Sequence, residues 1–214
     1  MQLTYFFDVC SMWCALGDDA LLIVQERYGE RVPITWKVAL INNGEPMDAG
    51  LDKELWYCDR CEAATGRRFD HRWIEKSGQS TWLPNALIHI AQKVGKGAEV
   101  HRALKIAALE RGERILRRDV ALSLAVNASG LDLLTLETGM EDPTINAEIK
   151  FSTAELNSYR INQRPAFVIR SAIEDTVIFS GIYRSEPLIA AIDAMIADEN
   201  AYACFAVAHA PIPT

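Results

Sequence analysis

Two short apolar runs near the start of the chain and two near its end are separated by about a hundred residues without strand character, and this order limits the available folds. Leu3 to Phe7 is aromatic-rich and apolar, and Asp8 to Cys14 interrupts it. Leu16, Ala20, Leu21, Ile23 and Val24 then fall near helical spacing up to Gly29, which predicts strand, tight turn, helix. Val32 to Leu40 alternates at Ile34, Trp36 and Val38 and completes a βαβ unit, for which a right-handed parallel pairing is expected. Asn42-Asn43-Gly44-Glu45-Pro46 ends it. From Leu51 to Asn157, Ala, Leu, Glu, Lys and Arg dominate, and breaks at Gly66, Ser77-Gly78, Gly95-Lys96-Gly97, Gly130 and Asp142-Pro143 divide the stretch into helices. Ala166 to Arg170 and Thr176 to Phe179 read as a hairpin, and Glu186 to Ala197 as a closing helix. Asn200 to Thr214 has no clear period and reads as a surface extension.

The expected class is α/β with an inserted all-helical domain: residues 1–50 and 158–199 form one unit, 51–157 the insertion and 200–214 a tail. A chain of 214 residues carries one such domain. With half its residues hydrophobic and a quarter charged, it is neither disordered nor a small disulfide scaffold. A net charge of -7 argues against nucleic-acid binding. No segment approaches the roughly 18 to 20 apolar residues of a membrane span, and Met1 to Asp8 lacks a signal peptide's basic and apolar regions. A cytoplasmic protein is expected, in which 5 Cys are reactive, metal-binding or buried rather than a disulfide framework.

Asp8-Val9-Cys10-Ser11-Met12-Trp13-Cys14 lies where the first strand ends and the first helix begins. Unpaired N–H groups and the dipole at a helix N-terminus favour a thiolate, so Cys10 or Cys14 is a candidate nucleophile. Arg164-Pro165 precedes the third strand, where a cis proline would leave the preceding backbone free to pair with an extended ligand. Cys58-Asp59-Arg60-Cys61 places two thiols on one helix face: a second redox pair, half of a zinc site with Cys10 and Cys14, or inert helix cysteines. Cys204 reads as a bystander. His71 and His101 sit among charges and read as surface residues, His89 as core and His209 as tail. None has metal-ligand or triad spacing, so no metal is expected.

These residues carry a resemblance to the DsbA-like thioredoxin superfamily, which includes DsbA and FrnE thiol-disulfide oxidoreductases, 2-hydroxychromene-2-carboxylate isomerases and kappa-class glutathione transferases. It covers Phe6-Phe7-Asp8 and the turn after it, the inserted helices, the Pro165 loop and Phe179-Ser180-Gly181. It implies a thioredoxin-like fold with an inserted all-helical domain. The oxidoreductases carry a Cys-Pro-Trp-Cys quartet, and the isomerases and kappa transferases a Ser-Pro-aromatic-Ser quartet. Alignment on Asp8 and Trp13 sets Ser11-Met12-Trp13-Cys14 on that quartet, a hybrid of the two. By resemblance, Ser11 would hold the sulfur of glutathione and favour its thiolate, whereas Cys14 keeps the second oxidoreductase cysteine and Cys10 would pair with it across a wider turn.

The resemblance also makes Trp13, the cis-proline loop at Arg164-Pro165, and Gly181 with Tyr183 binding residues. Arg164 would stabilise a thiolate or bind a carboxylate, and Gly181-Ile182-Tyr183-Arg184 aligns with the contact to the γ-glutamyl end of glutathione. Arg184 reads as a solvated helix-start residue, and Leu83-Pro84-Asn85 aligns with an isomerase substrate-pocket region. Thiol-disulfide exchange through Cys10 and Cys14, with Cys58 and Cys61 as a further pair, ranks first. A glutathione-dependent isomerase or transferase using Ser11 ranks second, and a non-catalytic binder third. No resident cofactor is expected, with glutathione as a cosubstrate and a small molecule or thiol/disulfide as substrate. A homodimer is implied only by the kappa-type relatives.

Overall fold

The computed structural model describes residues 1–47, 50–74 and 79–209, so the Ser77-Gly78 break and the end of the tail lie outside the described residues. Strand β1 (Gln2–Phe7) leads into helix α1 (Met12–Tyr28) and strand β2 (Ile34–Val38). Helices α2 (Leu51–Thr65), α3 (Trp82–Gln92), α4 (Gly97–Leu109), α5 (Arg118–Ser129), α6 (Leu133–Glu141) and α7 (Pro143–Ser158) follow without an intervening strand. The chain closes with β3 (Ala166–Arg170), β4 (Thr176–Ser180) and α8 (Ser185–Ala208).

The four strands form one mixed sheet in the order β2-β1-β3-β4, with β1 parallel to β2 and antiparallel to β3. This is a thioredoxin-like core with helices inserted between β2 and β3. A central strand covered on both faces should be apolar throughout, and Leu3, Tyr5, Phe6 and Phe7 are all fully buried. Tyr5, Phe7 and Phe167 pack with α1 and the inserted helices in the main core, while Phe6, Ala39, Leu156, Ala166 and Val168 form a smaller core on the opposite face. Tyr5 sits opposite both Trp36 and Phe167 in the register; its ring stacks on Phe167 at 5.1 Å and meets Trp36 edge-on at 4.9 Å.

Helix boundaries follow the local chemistry. Asp132 and Asp142 cap α6 and α7 through their side chains, Pro143 occupies the first position of α7, and Gly66 and Gly130 end α2 and α5 with positive φ. The insertion also shields the edge of the sheet. Ser152 Oγ donates to the Val38 carbonyl at 2.5 Å and Gln92 Nε2 to that of Trp36 at 3.5 Å, so two outward acceptors of β2 are occupied.

Three expectations need correction. The last helix does not stop at Ala197 but runs to Ala208, and its residues from Asn200 onward are exposed. A helix turn that packs against nothing has no reason to show an amphipathic period, although its Ala-rich composition favours helix. His101 is buried rather than on the surface, edge-on to Phe7 at 4.9 Å and at 5.2 Å from Trp36. His89 is not core: it is half-buried, and its Nε2 lies 2.7 Å from Glu148.

Candidate active site

The turn between β1 and α1 is organised by a carboxylate. Asp8 is fully buried, and its Oδ1 accepts from the Cys10 N–H at 2.9 Å and from Asn85 Nδ2 at 2.8 Å. Its Oδ2 accepts from the Ile41 N–H at 2.8 Å and from Thr81 Oγ1 at 2.5 Å. Asn85 Oδ1 completes the arrangement by accepting the Val9 N–H at 3.1 Å. Four donors make burial of the charge tolerable, and they join the turn to the end of β2 and the start of α3. Asn85 therefore faces this hub, not the substrate pocket to which its alignment assigned it.

Ser11 is the N-cap of α1: its backbone is extended and its Oγ accepts the Cys14 N–H at 3.3 Å. It is half-buried and lines a cleft of about 510 Å³. Its lining comes from Cys10, Ser11, Met12 and Trp13, from Lys53, Glu54, Tyr57 and Cys58 of α2, and from Ile41, Met47 and Trp73. The β1–α1 turn and the first inserted helix thus share one opening.

The expected thiolates are not favoured here. Burial drives the Cys10 thiol well above its ordinary value, with the Asp8 carboxylate adding to the effect. Cys14 is pushed up to about 12, chiefly by burial, even though its contact with the Ser11 hydroxyl pulls the other way. Desolvation outweighs the helix N-terminus because both side chains are almost completely covered. Cys58 and Cys61 are likewise buried, with thiols raised to about 12 and about 11, burial again being the main cause. Cys58 lines the cleft, whereas Cys61 is not among its lining residues. Among the described residues no group of three or more His, Cys, Asp or Glu is placed to hold a metal, so the four thiols do not assemble a zinc site.

Opposite the start of α1, the Arg164–Pro165 peptide is cis. The Arg164 guanidinium is committed to backbone: it donates to the carbonyls of Ala39, Leu40 (2.6 Å) and Asn162 (3.0 Å), with Asp8 and Cys14 near enough to act on its charge. Three carbonyls at the end of β2 and in the loop hold the proline in place, and burial lowers the guanidinium's proton affinity. Pro165 rests against Gly17 so closely that a Cβ there would lie 2.8 Å from the proline Cβ. Gly181 donates its N–H to the Pro165 carbonyl at 2.9 Å and has φ +71°, a conformation that a residue with a Cβ adopts only under strain. Tyr183 meets Trp13 at 5.3 Å, closing that side, and the Arg184 guanidinium lies 5.7 Å over the Tyr183 ring.

Beneath α1, a second buried carboxylate escaped the sequence reading. Asp18 Oδ1 accepts from Tyr5 Oη at 2.9 Å and its Oδ2 from Lys105 Nζ at 2.9 Å, with His101 Nε2 at 3.5 Å. Tyr5 Oη also lies 3.0 Å from the Cys14 carbonyl. Burial lowers the His101 pKa, Lys105 supplies the compensating charge, and α4 is thereby locked to the helix carrying the site. The available signal was Asp18 at i+4 from Cys14, inside a helix of otherwise apolar inward positions.

The model of the DSBA-like thioredoxin domain matches residues 2–192. The chain belongs to the DSBA-like thioredoxin domain family. A search of curated proteins found no match. Among solved structures, the probable DsbA oxidoreductase of Streptomyces coelicolor superposes with a TM-score of 0.71 at 17% identity, covering 100% of this chain and 93% of that one. The cytosolic disulfide reductase DsbM of Pseudomonas aeruginosa, solved with GSH, gives 0.67 at 18% identity over 94% and 98%. A 2-hydroxychromene-2-carboxylate isomerase gives 0.63 at 14% identity over 94% and 98%. At these identities the likeness establishes the DsbA-like fold, and the neighbours span oxidoreductases and an isomerase. Among the described residues no helix is long and apolar enough to cross a membrane.

Proposed function

We propose that this DsbA-like protein is a glutathione-dependent enzyme that transforms a small electrophile, with Ser11 holding the glutathione sulfur. The observation that carries this is the division of labour within Cys10-Ser11-Met12-Trp13-Cys14. Ser11 is a half-buried helix cap on the cleft, while both flanking thiols are covered and held protonated. A glutathione sulfur beside Ser11 Oγ would gain a hydroxyl donor and the positive end of α1, both of which favour its thiolate. The backbone of Arg164 before the cis proline suits pairing with the tripeptide, and the aromatic lining residues Trp13, Tyr57 and Trp73 suit a flat organic substrate. A solved neighbour in complex with GSH is consistent with this reading. Calorimetry with reduced glutathione tests it: wild type should bind, and Ser11→Ala should bind at least tenfold more weakly. Absence of heat at millimolar glutathione overturns it.

Thiol-disulfide exchange remains a second reading because Cys10 and Cys58 line the same cleft. It requires a disulfide among Cys10, Cys14, Cys58 and Cys61 after oxidation. Thiol trapping followed by mass spectrometry that finds all four free at equilibrium with glutathione disulfide rejects it.

A further inference from the structure

Two features outside the cleft have no part in the scheme above. One is the end of α8. Residues 200–209 lie past residue 192, where the family match stops, and carry no Asp, Glu, Lys or Arg. Tyr202 and Phe205 share one side of the helix at i, i+3 and are 64% and 62% exposed, with the His209 ring stacked on Phe205 at 3.9 Å. The other is a groove of about 490 Å³ between β2 and α7, with Trp36, Val38, Ala147 and Phe151 in its lining. Phe151 is 72% exposed. The groove's charged side chains are paired off: Lys37 Nζ lies 2.6 Å from Glu155 Oε2, and His89 Nε2 lies 2.7 Å from Glu148 Oε2.

We infer that the chain forms a two-fold homodimer in which the α8 end of each copy lies in the β2–α7 groove of the other, anchored by Tyr202 and Phe205. The groove and the cleft share no lining residue, so the inference is independent of the glutathione reading.

The occupant follows from position, charge and area. A copy's own α8 end is out of reach of its own groove. Glu199 Oε1 sits 3.8 Å from the Met1 amine, so the next ten residues continue past the start of β1, whereas Trp36 to Val38 pair with its last residues, Tyr5 to Phe7. Two chains of charge -7 repel each other, but an uncharged helix meeting a groove of paired charges adds nothing to that repulsion. A segment without Lys or Arg is also poorly suited to an anionic lipid surface. Aromatic anchors one turn apart are the pattern of a helix laid in a groove, and reciprocal exchange closes at two copies. The exposed rings and their neighbours on each tail offer on the order of 300–400 Å². Matched by the groove and doubled by symmetry, this comes to about 1,200–1,600 Å², the size of a specific interface. Two α8 ends paired only with each other would bury about half as much, in the range of lattice contacts.

The test is sedimentation equilibrium of the full chain in reductant, which keeps a disulfide at the exposed Cys204 from standing in for the contact. At about 100 µM, wild type should show twice the 23.9 kDa of one chain, because interfaces of this size hold at micromolar affinity or better. Phe205→Glu on the tail and Phe151→Glu in the groove should each weaken association about a hundredfold or more, since symmetry applies each change twice. Mixed together, the two variants should associate more strongly than either alone, because a Phe151→Glu chain keeps an intact tail for the intact groove of a Phe205→Glu chain. Each protomer's core is complete without the contact, so melts well below the dissociation constant should match wild type. A monomeric wild type overturns the inference. A dimer that Phe151→Glu leaves intact also overturns it, assigning the contact to paired α8 ends where Phe205→Glu abolishes it and to another surface where it does not. A mixture that associates no more than its separate components overturns it as well.

Discussion

Cys14 illustrates how one side chain is governed by its surroundings more than by its position in a motif. Its thiol is raised to about 12 by burial while a free cysteine titrates near 8.5. The folded state therefore holds the proton more tightly than the unfolded chain. The stabilisation is fully present below about pH 8.5 and is lost as pH rises toward 12. Denaturant midpoints measured from pH 7 to 11 should fall on the alkaline side, and Cys14→Ala should shallow that decline. Iodoacetamide on the native protein at pH 8 should label the exposed Cys204 before Cys10, Cys14, Cys58 or Cys61, as peptide mapping would show. The motif was legible as a helix-start cysteine pair, but the thiolate expected from it was not realised. The dipole is a local property readable from the sequence; the near-complete burial of the side chain is not.

At the scale of elements, α1 is held by two contacts that come from distant parts of the chain. Gly17 lets α1 approach Pro165 where a side chain would collide. Gly17→Ala should cost roughly 1–3 kcal/mol, seen as a lower urea midpoint at unchanged slope. Below it, Lys105 of α4 compensates buried Asp18. Lys105→Met should cost roughly 3–5 kcal/mol because an unpaired charge remains, and adding Asp18→Asn should recover much of that loss. A thermal-melt double-mutant cycle measures both. The glycine stood in plain view within a helical period, yet its neighbour is 148 positions away. His101 reads as a surface residue because it sits among charges in the sequence, and the linear order does not reveal that it packs against Phe7 and Trp36.

On the scale of the whole molecule, the end of α8 extends beyond the body of the fold. Residues 200–209 are exposed, and the backbone just before them is held by Glu199, which accepts from the Ala172 N–H at 2.6 Å. Removing residues 201–214 should shift the melting temperature by no more than about 2 °C. A larger drop in calorimetry would show that this segment stabilises the fold.

The sequence by itself determined the order of strands and helices, the helix-start turn and the departure at Ser11, because periodicity, capping and turn residues act over a few positions. Only the tertiary structure decided which groups meet. It placed the Asp8 carboxylate against Thr81 and Asn85, committed Arg164 to backbone carbonyls, and opened Ser11 and Glu54 onto one cleft. Those outcomes depend on desolvation and contact between segments far apart in the chain, quantities that have no value until the chain has closed on itself.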